Sequence, residues 1–469
     1  MKILAKIVSF VLTILFFITM YFIYHLNILP SKYFLMIGGI LLLVVLGIDF
    51  KLIRRKTGKI SRGFFTVFGI LISVSNLYLL TYIDATHDFV NSMVSKNQEV
   101  ITYHVIAKEN TYQKIKELEN HKISYLETDT NYTKLKSLME KDISYHECRV
   151  TNISTLISNL EDGSTDAILL EDSHYQMLKE EYQELEKVKI VKSYRLIVKK
   201  DMEEERKKTT KDSFIVYISG IDTYGAISSV SRSDVNIVAV VNPNTSKILL
   251  VSIPRDYYVQ LHNTTGLKDK LTHAGIYGID KSVGTIEDLL DIDINYYVRL
   301  NFSTLTKSID LLGGVDVYSD LTFTPWTNRN ITIREGINHM NGEMALAFAR
   351  ERHAYTSGDR RRGENQQAII TAMIKKMTDK SNIMKIKSIL ASLEGTFETS
   401  MSYEDISNLI KMQLSDNINW DVTSISLDGT GSMQKTYSMG NRNSYVMIPD
   451  TNTIVKAQEE IQNVLSGDH

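Results

Sequence analysis

The sequence predicts an α/β protein carried on a membrane anchor, and three observations predict it. Long apolar runs crowd into the first ninety residues; β-rich runs alternate with helical segments from about residue 100 onward; a polar stretch, "DMEEERKKTTKD" at 201–212, divides that second part. Short buried strands alternating with amphipathic helices make a sheet layered between helices. The expected organisation is a membrane domain at 1–90, an accessory α/β domain at 91–205, a linker at 206–212 and a larger α/β domain at 213–465.

The apolar runs cover residues 5–24, 33–50 and 64–83. Each approaches the roughly 20 residues needed to cross about 30 Å of hydrocarbon. A cleaved signal peptide would need a small-residue cleavage site after the first run, and none is evident before Pro30. Basic loops stay cytoplasmic. The loop holding Lys51, Arg54, Arg55, Lys56, Lys59 and Arg62 is therefore expected inside, and everything after about residue 84 outside. The single cysteine, Cys148, excludes an intramolecular disulfide and reads as a small buried hydrophobe.

In the accessory region, "VITYHVIAK", "KISYLET", "DAILLED" and "VKIVKSYRLIVKK" read as strands, with helices expected over 111–121 and 131–142. No glycine-rich loop, nucleophile motif or histidine cluster occurs there, so an interaction module is the default expectation. The larger domain opens with "SFIVYISGID" and continues through "DVNIVAVVNP", "KILLVSIPRD", "INYYVRLNF" and "GVDVYSD". Helices are expected at "KSVGTIEDLLD", "FSTLTKSIDLLG", "GEMALAFARER" and "NQQAIITAMIKKMTD", and a last strand and helix within 443–465.

Functional groups in α/β folds gather at the carboxyl ends of strands. Asp222 ends the first strand of the larger domain, Arg232 and Asp234 precede the second, and Arg255 and Asp256 follow the third. Five arginines (Arg350, Arg352, Arg360, Arg361 and Arg362) fall within thirteen positions of a chain whose net charge is only −2. Guanidinium forks pair with phosphate oxygens, and strand-end carboxylates hold hard cations that also take phosphate ligands. A Mg²⁺-bound diphosphate would use both. Structural readings stand beside this one: Arg350 and Arg352 complement a helix dipole, the triple arginine forms a solvated face, and the aspartates cap turns.

The segment from about Ser213 to Leu465 resembles the LytR–CpsA–Psr (LCP) family of Gram-positive envelope proteins. The stretches that carry the likeness are "SGID" with "SRSDVNIVAVVNP", "LLVSIPRD", "KLTHAGIYG", "NYYVRLNF", "DLLGGVDV", "MNGEMALAFARER" and "GDRRRGENQQ". Three spans and an accessory domain make the chain most similar to capsule-biosynthesis members. The resemblance implies an α/β/α sandwich with a hydrophobic lipid tunnel, Mg²⁺ on Asp222 and Asp234, and a diphosphate on Arg232, Arg255, Arg350, Arg352 and Arg362, with Gln366 beside it. The second arginine of the family's GDxxRxxRQQ pattern is Asn365 here, which removes a charge but leaves an amide donor.

The function so implied is Mg²⁺-dependent transfer of capsular polysaccharide from a polyprenyl-diphosphate carrier to peptidoglycan, with Asp234, Arg255 and Arg232 in the chemistry. Other capsule-assembly proteins are expected partners. The alternative is a non-catalytic membrane protein that binds lipid-linked sugars and regulates chain length or expression. Direct DNA binding needs a cytoplasmic basic module; residues 51–62 are too short for one, so no nucleic-acid partner is expected.

Overall fold

The structure is a computed structural model. It describes all residues except 1, 27–28, 94–97, 182–186, 200–208, 211, 222–230, 356–357, 380–381, 383–396 and 468–469. Asp222 and most of the expected linker lie outside the described residues. The chain divides into two compact units, one of residues 1–94, 375–394 and 401–419, the other of 95–374, 395–400 and 420–469.

In the first unit the apolar runs form α1 (Lys2–Leu26), α2 (Ser31–Ile53) and α3 (Lys59–Met93). All three are long and apolar enough to cross a membrane. The third helix continues well past its apolar stretch. Val8, Leu12, Phe16, Val45 and Ile48 pack between the helices. Asp49 of α2 accepts hydrogen bonds from Ser9 Oγ at 2.5 Å and Thr13 Oγ1 at 2.8 Å, both on α1. Hydroxyl partners are what a carboxylate in an apolar helix requires.

The second unit begins with β1 (Gln98–Lys108), β2 (Lys122–Leu126), α4 (Tyr132–Met139), β3 (His146–Val150), α5 (Ile153–Asp162), β4 (Ala167–Glu171), α6 (Asp172–Glu181) and β5 (Val188–Lys199). The strands form one mixed sheet in the order β3-β2-β4-β1-β5. The helix expected over 111–121 is instead a single 3-10 turn, Ile115–Leu118, because only Leu118 of that turn is buried. Short helices hold only when an apolar face is buried. Cys148 sits half-buried on the edge strand β3 rather than in the core.

The larger domain follows as β6 (Phe214–Ile221), β7 (Val235–Asn242), β8 (Lys247–Ser252), β9 (Tyr258–Val259), β10 (Asp269–Lys270), α7 (Leu271–Ala274), α8 (Ile279–Leu290), β11 (Tyr296–Asn301), α9 (Phe302–Leu311), β12 (Val315–Ser319), β13 (Gly336–Met340), α10 (Gly342–Ala349) and α11 (Gly358–Thr378). It is completed by β14 (Phe397–Thr399), β15 (Asp421–Ser426), β16 (Gly429–Lys435), β17 (Asn443–Pro449) and the last helix. Between β14 and β15 the chain contributes α12 (Tyr403–Asp416) to the first unit, and the last helix is α13 (Thr451–Ser466). The main sheet runs β14-β11-β6-β7-β8-β15, parallel at β11–β6 and β8–β15 and antiparallel elsewhere.

One face of this sheet, carrying Ile215, Tyr217, Val238, Val240, Leu249 and Val251, packs on α8 and α13 through Val283, Ile286, Ala457 and Ile461. Alternation along the strands puts Ile218, Val298 and Leu300 on the opposite face. The first two are register partners at the centre of the sheet, yet all three are only half-buried.

Two sequence expectations need correction here. "GVDVYSD" does not join the main sheet; it forms a separate ribbon with β13, because its outward residues Asp316 and Tyr318 are exposed. The helix expected from Asn365 starts earlier: α11 begins at Gly358 and takes in Arg360, Arg361 and Arg362.

The accessory and larger domains share a core. Ile276 and Met439 of the larger domain pack with Ile106, Val150, Ile153, Leu156 and Leu178.

Candidate functional site

Three strand ends and one helix start converge on a pocket lined by Asp234, Arg255, Arg360, Arg362 and Gln366. Asp234 immediately precedes β7 and is fixed by its backbone N–H donating to Gly220 O at 2.8 Å. Arg255 follows β8 through Pro254, and Nη1 donates to Asp234 Oδ1 at 3.0 Å. The pair is largely desolvated, at 19% and 11% side-chain exposure, which strengthens a charge-assisted bond. Asp256 Oδ2 lies 3.6 Å from Arg255 Nε, and Lys270 Nζ lies 4.0 Å from Asp256 Oδ1.

The "KLTHAG" segment shapes this corner. Thr272 Oγ1 donates to Asp234 Oδ1 at 2.9 Å, its backbone N–H donates to Arg255 O at 2.8 Å, and its carbonyl accepts from Ser233 N at 3.1 Å. A Cβ on Gly275 would meet Ser231 O at 2.5 Å and Ser233 N at 2.8 Å. The stretch bearing Arg232 and Asp234 therefore lies directly against a glycine that must stay a glycine. Thr272 was legible as part of a motif but not as a site residue, since nothing in spacing says its hydroxyl reaches Asp234.

The arginine-rich stretch is held by two buried amides and a buried carboxylate. Asn365 Nδ2 donates to Phe348 O at 3.0 Å, and Gln366 Nε2 to Ala349 O at 3.4 Å. These bonds dock α11 on the end of α10, immediately before Arg350. Asn365 is 1% exposed; its amide works in this docking contact, where a guanidinium would bury a charge. Gln367 Nε2 donates to Leu250 O at 3.0 Å and Ile425 O at 2.6 Å, fixing the helix over β8 and β15.

Glu351, 1% exposed, accepts from the backbone N–H groups of Trp326 at 2.6 Å, Arg352 at 2.9 Å, His353 at 2.5 Å and Ala354 at 3.0 Å. Burial pushes its carboxyl up, but these backbone bonds together hold it below the usual carboxylate range. It thereby sets the turn that carries Arg350 and Arg352. The Arg350 guanidinium lies over the Phe302 ring, 4.4 Å from its centroid.

The remaining cations divide. Arg360 Nη1 pairs with Asp428 Oδ2 at 2.9 Å at the pocket edge. Arg361 is engaged away from the pocket by Asp320 at 2.5 Å and Glu364 at 3.1 Å. Arg299 pairs with Glu398 at 3.7 Å across β11 and β14. Of the residues expected in the site, Asp234, Arg255, Arg362 and Gln366 line one pocket. Arg350 and Arg352 flank the Glu351 turn docked beside it, and Arg232 precedes Asp234 by two residues. Asp428, missed from sequence, lies in the short connection between β15 and β16, where no pattern gave a signal.

Among the described residues no group of three or more His, Cys, Asp or Glu side chains forms a metal cluster. Among the described residues, Arg255 Nη1 and Thr272 Oγ1 both donate to Asp234 Oδ1. A hard cation that takes one or two carboxylates and completes its shell with phosphate oxygens and water fits such a site better than an all-protein cage.

The chain matches the LytR_cpsA_psr family model over residues 173–462. It is 32% identical over 259 residues to the polyisoprenyl-teichoic acid–peptidoglycan teichoic acid transferase TagU of Enterococcus faecalis, covering 55% of this chain and 81% of that protein. It is 32% identical over 261 residues to the corresponding transferase TagV of Bacillus subtilis, covering 54% of this chain and 65% of TagV. A crystal structure of B. subtilis TagV is 30% identical and covers 55% of this chain and 99% of that one, with a TM-score of 0.46. The family match spans more than half of the sequence, and the chain belongs to the LytR_cpsA_psr family.

Proposed function

We propose that this protein is a membrane-anchored transferase that moves a glycopolymer from a polyprenyl-diphosphate carrier to peptidoglycan, and that the polymer is a capsular polysaccharide. The observation that carries the reading is the pocket joining the Asp234–Arg255 pair to Arg362 and Gln366 at the strand ends. Its relatives TagU and TagV are named for transfer of teichoic acid to peptidoglycan. Topology adds support: the apolar helices would hold the pocket outside the cell if residues 51–62 stay inside.

In this reading Arg255, Arg362, Arg350, Arg352 and Arg232 bind the diphosphate oxygens, and Gln366 donates an amide hydrogen bond. Fixed donors aimed at developing charge lower the barrier without reorganising at the moment of reaction. The acceptor sugar hydroxyl forms the new bond as the bond to the departing polyprenyl phosphate breaks. In the proposed step Asp234 accepts the hydroxyl proton, and the arginines hold the charge left on the phosphate. Mg²⁺ would sit on Asp234, with Asp222 as the expected second carboxylate, and would supply further neutralisation of phosphate charge. The lipid chain would lie along the sheet face bearing Ile218, Val298 and Leu300, central residues that are apolar and incompletely covered.

Full-length protein in detergent, given lipid-linked polymer and peptidoglycan, should yield polymer-bearing peptidoglycan and free polyprenyl phosphate. Asp234→Ala and Arg255→Ala should each abolish both products. Wild-type transfer by either variant sinks the mechanism, and tight lipid binding without turnover by the wild type replaces the transferase with a binding protein.

A further inference from the structure

The segment joining β12 to β13, residues 320–335, is well anchored yet presents a large aromatic ring to solvent. Phe323 and Ile333 exchange backbone hydrogen bonds at 2.9 Å, and Phe323 packs edge-on against Tyr355 at 5.4 Å. Trp326 itself is tied down by its backbone N–H bond to Glu351. Trp326 is nevertheless 60% exposed, whereas the chain's other tryptophan, Trp420, is 9% exposed. Arg329 lies 4.4 Å from the Trp326 ring centroid, and the His353 imidazole 4.9 Å from it, tilted by 43°. Glu351 fixes Trp326, Arg352 and His353 through a single carboxylate. An exposed ring on a rigid backbone, continuous with the arginine turn, is not accounted for by packing.

We infer that Trp326, with Arg329 and His353, forms the subsite that holds a sugar ring of the acceptor glycan. This rests on the transferase reading above. The donor already offers a diphosphate to the arginines and a lipid to an apolar face; the acceptor offers neither. Its recognition must come from sugar faces and carboxylates. An indole presents a flat, polarisable face to the C–H surface of a pyranose, Arg329 supplies positive charge for the carboxylates of a peptide-bearing amino sugar, and the His353 imidazole adds a polar edge beside the ring. Fixing the ring through Glu351 couples acceptor position to the turn that carries Arg350 and Arg352, as proximity catalysis requires.

The test uses full-length protein in detergent, a radiolabelled peptidoglycan disaccharide-peptide and, separately, farnesyl diphosphate with Mg²⁺. The disaccharide-peptide should bind the wild type saturably. Trp326→Ala should weaken this at least about tenfold, while Trp326→Phe keeps most of it. Farnesyl diphosphate affinity should change less than about twofold in both variants. Unchanged disaccharide binding by Trp326→Ala overturns the inference. So does an equal loss of farnesyl diphosphate affinity, which places Trp326 in the donor pocket, or Trp326-dependent binding of lipid-free donor polymer in place of the disaccharide. If the wild type fails to bind farnesyl diphosphate while binding the disaccharide-peptide through Trp326, the donor reading fails and the saccharide site stands.

Discussion

Replacing Arg255 and Asp234 singly and together with alanine isolates the interaction on which the pocket depends. At 3.0 Å and an effective dielectric of 20, Coulomb attraction between unit charges is about 5.5 kcal/mol. Desolvating both ions offsets much of that, and Arg255 keeps Asp256 as a second carboxylate while Asp234 keeps the Thr272 hydroxyl. What remains is a charge-assisted hydrogen bond between groups less than one-fifth exposed, worth about 1.5–3 kcal/mol. A double-mutant cycle measured by urea unfolding at pH 7 should return a coupling energy in that range. A coupling below about 0.5 kcal/mol, the level of a solvated surface pair, refutes the view of Asp234 and Arg255 as one desolvated unit.

Other consequences follow from contacts around the same corner. Gly275→Ala should cost about 1–3 kcal/mol of stability by overpacking against Ser231 and Ser233, read as a lowered urea midpoint. Glu351→Gln keeps the shape but weakens the backbone bonds that set the arginine turn, so inorganic diphosphate affinity should fall about five- to thirtyfold at an unchanged melting temperature within a few degrees. Burial, with His273 nearby, pushes the His174 imidazole down to about 4. The unfolded chain therefore binds a proton that the folded one refuses between about pH 6.5 and 4, so stability is full above that window and falls as pH drops through it. His174→Gln should flatten this dependence in urea titrations at pH 4.5 and 7.

Much of the architecture was legible because burial imposes periodicity. The apolar runs became α1 to α3, and "FIVYISG", "VNIVAVV" and "KILLVS" became adjacent strands because strands buried along most of both faces need continuous apolar stretches. The 111–121 helix failed where one apolar residue could not hold a full helix, and "GVDVYSD" read as a main-sheet strand although its alternation, with Asp316 and Tyr318 outward, already marked a one-sided ribbon. At the site, Arg255 was expected because a charge directly following an apolar element must be matched, Asp234 because it sits at the start of an apolar strand, and Arg362 only through its place in the family motif. Thr272 and Asp428 were not, since a hydroxyl and a loop carboxylate gain their meaning only from neighbours distant in sequence.

The contact between the accessory domain and the rest of the second unit bears on how the chain can be cut. Ile276 belongs to the same short segment as Gly275 and Thr272, so the residues that shape the pocket corner have their other side against α5 and α6. Tyr277 joins them through its hydroxyl to Ser438, which donates in turn to the buried Asp269. A truncated protein starting near Ser213 would leave that patch facing water and loosen the corner behind Asp234. Expressing the catalytic region alone would thus remove one wall of its own scaffold.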